Sequence, residues 1–139
     1  GLKKMSKSEV SDLSRINLTD NQDQIVNKIK RAKTDTLALP STIGELEKRP
    51  EAKNLIGIYS SLTNNTFQKS IDEFAGKNFS EFKEKLSDII VHEINPISLK
   101  IKELLADKAF LEKILKDGQN KANEIASKKI KKMQEIVGF

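Results

Sequence analysis

Residues 78–105, NFSEFKEKLSDIIVHEINPISLKIKELL, carry the longest regular hydrophobic period in this chain of 139 residues. Phe79, Phe82, Leu86, Ile89, Ile90, Ile97, Ile101, Leu104 and Leu105 recur mostly at three- and four-residue steps. That spacing gathers side chains onto one face of an α-helix, whereas a strand would alternate every second residue. Pro96 is expected to kink or divide this helix, because proline removes one ladder hydrogen bond and crowds the preceding turn.

The same period extends outward in both directions. Upstream, TFQKSIDEFAG (66–76) reads as a short helix with Phe67, Ile71 and Phe74 in the core and Gly76 as its C-terminal cap. Before it, Pro50 opens a helix carrying Leu55, Ile58, Tyr59 and Leu62, which ends at Asn64–Asn65. TLALPSTIGELEKRP (36–50) reads as a loop, punctuated by Pro40, Ser41, Gly44 and Pro50. NLTDNQDQIVNKIKRAKTD (17–35) reads as a helix capped by Thr19, with Gln22 three residues on and Ile25, Ile29 and Ala32 on one stripe. Downstream, Asp107 caps a last helix running to the end, in which Gly118 marks a break or a close crossing. No segment has the alternation of a strand. The expected architecture is all-α, one domain, a bundle of about five helices.

Composition narrows the chemistry. The chain has no cysteine and a single histidine, His92, which removes disulfides, thiolate metal sites and most zinc constellations. His92 lies among Ile89, Ile90 and Ile94 and reads as a part-buried packing residue. No apolar run approaches the ~20 residues of a membrane span, and these features together suit a cytoplasmic protein. A net charge of +5 with 32% charged residues permits an anionic partner such as nucleic acid. KNFSEFKEK and KKIKKM nevertheless read as solvated helix faces.

The most specific chemistry lies at Lys4-Met5-Ser6-Lys7-Ser8. Two ammonium groups three residues apart, interleaved with hydroxyls and backbone N–H groups, can surround a triphosphate from several sides. No glycine-rich turn precedes the lysine, so this is not a Walker loop. By composition alone, such a pentad is also common in exposed basic tails.

The flanking residues separate those readings. KMSKS (4–8) followed by SDLSRINLTD (11–20), IKRAKTD (29–35), RPEAKNLIGIY (49–59) and DGQNKANEIASKKIKKMQEIVGF (117–139) resembles the tryptophan-specific branch of the bacterial class I aminoacyl-tRNA synthetases. The resemblance runs along essentially the whole chain. Three positions depart from the family pattern: Glu9-Val10 where Asp-Pro is frequent, Thr36 where proline follows KTD, and Glu47-Lys48 where a glycine is common. None of them is a phosphate-binding residue.

The resemblance implies that Lys4, Met5, Ser6, Lys7 and Ser8 close over ATP, with Lys7 the main transition-state group and Lys4 assisting. It implies a junction over residues 1–18 and a helical tRNA-binding part over 19–139. Arg31, Lys33 and Arg49 are the basic residues proposed to face tRNA(Trp). The cosubstrates would be tryptophan and ATP with Mg2+, held largely by a Rossmann-type domain bearing a His-Ile-Gly-His-like motif. With one histidine and no βαβ pattern, these residues are expected to be the C-terminal portion of such an enzyme. Alone, this portion is expected to be inactive and monomeric or weakly associated, the intact enzyme being a homodimer. A stand-alone RNA-binding helical module and a tyrosine-specific enzyme are the alternatives.

Overall fold

A computed structural model describes residues 10–138. These residues form a 3-10 turn at Asp12–Ser14 and six α-helices, with no strand among them. The helices are α1 (Gln22–Arg31), α2 (Ile43–Glu47), α3 (Pro50–Thr63), α4 (Phe67–Phe74), α5 (Phe79–Ala106) and α6 (Lys108–Val137). The chain divides after Leu99 into two compact units. All-α is thus the observed class, with one helix more than the sequence reading placed.

The first unit is built around one core. Ile25 and Ile29 of α1, Leu39 of the following loop, Leu46 of α2, Ala52, Leu55, Ile56 and Tyr59 of α3, Ile71 and Phe74 of α4, and Phe79, Phe82, Leu86 and Ile90 of α5 are all buried in it. Its centre is aromatic. The Phe74 ring meets Phe82 and Tyr59 nearly edge-on at centroid distances of 4.9 and 5.0 Å, and Tyr59 lies 5.8 Å from Phe82. These are separations at which the positive edge of one ring finds the negative face of another. The loop between α1 and α2 is stitched to the turn between α4 and α5, since Leu39 N–H donates to Lys77 O and Gly76 N–H to Leu39 O. Gly76 has φ +73°, a left-handed turn that glycine adopts without strain.

Several expectations need correction. α1 starts at Gln22, and its capping box is Asn21 with Gln24, not Thr19 with Gln22. The shift has a cause: Asp20 accepts from Asn17 N–H and holds residues 17–20 in a turn ahead of the helix. α2 falls inside the stretch read as loop. Five residues anchored by one buried leucine show no period, although Thr42 does cap Glu45 N–H and Glu45 reaches back to Ser41 N–H. Phe67 is 41% exposed and not a core residue like Ile71 and Phe74; its ring lies on α3 at Gly57, where an added Cβ would come within 3.3 Å of it.

Pro96 does not divide α5. It and His92, whose carbonyl loses the ladder bond, both lie on the exposed side, so water can satisfy the freed oxygen. His92 is accordingly exposed and not part-buried. In the second unit α6 is unbroken at Gly118, where an added Cβ would meet no atom within 4 Å. The expected break or close crossing is absent there. Asp107 does cap α6, accepting from Phe110 N–H at 3.0 Å.

Tyr59 offers a direct test of the core, being the single tyrosine of the chain. Its hydroxyl donates to Glu73 at 2.9 Å, and burial, followed by that carboxylate, pushes its pKa up to about 12 from 10.0. Absorbance titration of the phenolate is expected to show a midpoint near 12 in the folded chain. Because the folded pKa is the higher one, stability should fall as pH rises between 10 and 12. A midpoint near the value for a free tyrosine would contradict this packing.

Candidate functional site

Lys4 to Ser8 lie outside the described residues. The structure begins just beyond them, with the 3-10 turn capped by Ser11. Asp12 in that turn pairs with Arg15 at 2.9 Å and accepts from both Asn17 Nδ2, at 3.0 and 3.1 Å, and the Lys28 ammonium, at 2.5 Å. Lys28 comes from α1 and is only 7% exposed. It also donates to Asp20, at 2.6 Å, whose carboxylate accepts in addition from Asn17 N–H at 2.8 Å. Two carboxylates, one amide and one ammonium thereby join the segment 12–20 to the side of α1.

The charges in this cluster hold one another. The Lys28 and Asn17 hydrogen bonds keep the Asp12 carboxyl below its ordinary 3.8. Burial works against the Lys28 ammonium, yet the hydrogen bonds to Asp12 and Asp20 outweigh it and raise the pKa above 10.5. The depressed carboxylate loses its contribution only as pH falls below 3.8, and the raised ammonium only as pH climbs past 10.5. Across the neutral range the cluster stays intact.

A second basic region lies at the other end of α1. Arg49 forks onto Asp35, with Nε 2.9 Å and Nη2 2.5 Å from its two oxygens, and Nη1 donates to Ala38 O at 2.6 Å. Its guanidinium also lies 5.5 Å from the centre of the Phe79 ring. Arg49 therefore fastens the loop before α2, a task for which the planar fork suits better than an ammonium. The Arg49 bonds hold the Asp35 carboxyl below its ordinary value. Arg31 and Lys33 are exposed.

Beside them is an open groove of about 1000 Å³, lined among others by Lys30, Thr34, Asp35, Asn78, Ser80 and Lys83. Arg31 and Lys33 flank it in sequence without lining it, so the structure brings their neighbours Lys30 and Thr34 into the groove instead. Lys83, like Lys28, is a residue that sequence reasoning misses. It falls in a stretch that reads as a solvated face, yet it is buried and donates to Ala32 O at 2.6 Å and Lys30 O at 3.3 Å, closing the carbonyl end of α1. A cation suits the negative end of the helix dipole. Burial lowers its pKa from 10.5. The hint was present in the spacing, since Lys83 stands four residues after Phe79 and three before Leu86, within the apolar stripe.

The sequence that builds this helical body has relatives among known proteins. Residues 1–95 match the family described as tRNA synthetases class I (W and Y), and the chain belongs to that family. Among curated proteins it is similar along its entire length to tryptophan–tRNA ligases. It is 46% identical over 139 residues to that of Brucella melitensis biotype 1 and 48% identical to that of Rickettsia felis. That of Caulobacter vibrioides is 44% identical. The chain spans 39%, 42% and 40% of those three proteins, about two fifths of each.

Proposed function

We propose that this chain is the helical part of a tryptophan–tRNA ligase, together with the loop that closes over ATP. The observation that supports the reading is its similarity over all 139 residues to tryptophan–tRNA ligases at 44–48% identity. In the reaction, a carboxylate oxygen of tryptophan attacks the α-phosphorus of ATP, which enters as its Mg2+ complex, and pyrophosphate leaves. A hydroxyl of the terminal ribose of tRNA(Trp) then attacks the carbonyl of the adenylate, and AMP leaves. Negative charge grows on the departing pyrophosphate, so Lys7, with Lys4, would be worth most at that moment; Met5, Ser6 and Ser8 would complete the loop around the phosphates.

The second step needs an RNA-facing surface. Arg31 and Lys33 are exposed beside the groove and suit phosphate contacts, while Arg49 would act by holding the loop that borders it. Residues 1–18 would form the junction and 19–139 the tRNA-binding part. The nucleotide and tryptophan sites, and the main contacts of a homodimer, would lie in the portion of the relatives beyond this chain. A cytoplasmic location follows from the same reading.

The test is ATP–pyrophosphate exchange by the longer protein, with each amino acid supplied in turn. Exchange driven by tryptophan alone is expected. Exchange driven by tyrosine would transfer the protein to the tyrosine-specific branch, and none with any amino acid would favour a non-catalytic RNA-binding module.

A further inference from the structure

The cluster around Lys28 does more than the packing of the first unit requires. The segment 10–20 contributes little apolar burial. Val10 is fully exposed, Leu13 and Leu18 are 39% and 51% exposed, and only Ile16 packs in part against the core. Nothing in the 3-10 turn is buried. What docks the segment is charge. Lys28 reaches from α1 to Asp12 and Asp20, sixteen and eight residues back along the chain, and Asn17 bridges the two carboxylates. A hydrophobic contact tolerates sliding, whereas an ammonium with two carboxylates at hydrogen-bond distance fixes a position to within a fraction of an ångström.

That position matters for what precedes it. Ser8 is four residues before Asp12, and four residues of extended chain reach at most roughly 14 Å. We infer that the Asp12–Lys28–Asp20 cluster is a strut that fixes the segment 12–20, which follows the pentad in sequence, against α1, making Lys28 a positioning residue for amino-acid activation. The inference rests on the ligase reading for its catalytic consequence, though not for the strut itself.

Two readouts test it. In the 139-residue chain, hydrogen exchange of Lys28→Met is expected to lose protection at the Asn17 and Asp20 amides, while the α3 and α5 amides stay protected. In the longer enzyme the same variant should lower kcat for tryptophan-dependent exchange by about 10–100-fold, with KM for ATP and tryptophan within about threefold. Lys28→Arg, which retains the cation, should recover most of that loss. Asp12→Asn removes one charge from a half-exposed side chain, and should show the same kcat-selected loss in smaller degree. It decides the matter if Lys28→Met fails to fold. Unchanged protection in the variants would overturn the strut, and so would released amides accompanied by an unchanged kcat. An unmutated enzyme with no tryptophan-dependent exchange would overturn the ligase reading instead, leaving the amide protection to decide whether the strut exists.

Discussion

Replacing Lys7 with alanine in the longer enzyme is expected to lower kcat for tryptophan-dependent ATP–pyrophosphate exchange by about 10²–10³-fold, with KM for ATP changing only a few-fold. The asymmetry follows from the chemistry. Ground-state ATP arrives with its charge spread over three phosphates and matched by Mg2+, so one ammonium adds modest affinity. As the bond between the α-phosphorus and the leaving oxygen breaks, charge concentrates on pyrophosphate, and a cation held close to it gains most at that point. A cation that stabilises only the transition state appears in kcat and kcat/KM together. A rise in KM with unchanged kcat would assign Lys7 to binding alone. Lys7→Arg separates charge from shape, because guanidinium retains the charge and changes the donor geometry.

Phe82→Ala is expected to be the most damaging single change to the fold, costing about 3–5 kcal/mol. Phe82 has no exposed surface, and its ring lies against both Phe74 and Tyr59. Truncation removes a large apolar burial, leaves a void between α3, α4 and α5, and forfeits two ring pairs worth about 0.5–1.5 kcal/mol each within that total. Thermal unfolding followed by circular dichroism should show a fall in Tm of more than about 10 °C. Phe67→Ala is the comparison, since that ring remains 41% exposed and should cost about 1 kcal/mol or less. Equal losses at the two positions would mean that the aromatic centre does not carry the first unit.

The sequence made some of this readable and concealed the rest for definable reasons. α3, α4, α5 and α6 were visible because Leu55, Ile71, Phe82 or Leu111 each recur with partners at helical spacing, over enough turns to exceed chance. Pro50 and Asp107 marked starts because their chemistry acts within a single turn. α2 is hidden because five residues offer only one apolar pair at helical spacing, Ile43 and Leu46, of which Leu46 alone is buried; the Thr42-x-x-Glu45 pairing is the sign available. A local rule makes Pro96 a kink or a division and Gly118 a break or a close crossing. Neither residue divides its helix, and the glycine costs only its propensity.

At the candidate site the divide is sharper. The KMSKS pentad and the motifs behind it identify the family by residue identity and order, and that needs no coordinates. Arg49 was picked out for its charge, and its charge is indeed used, but on Asp35 and the Ala38 carbonyl within the same chain. Lys28 looks like any other lysine in a sequence with 25 basic residues, and Lys83 is set apart only by its place between Phe79 and Leu86.

What the sequence determined by itself was therefore whatever depends on short-range order: helix periodicity, several caps, the all-α class and the family. Only the tertiary structure decided which lysines are buried and what they hold. An ammonium leaves water only when carboxylates or helix carbonyls converge on it, and those partners come from residues 8, 16, 51 and 53 positions away along the chain. Their meeting is a property of the fold, and the local pattern carries no sign of it beyond the place of Lys83 in an apolar stripe.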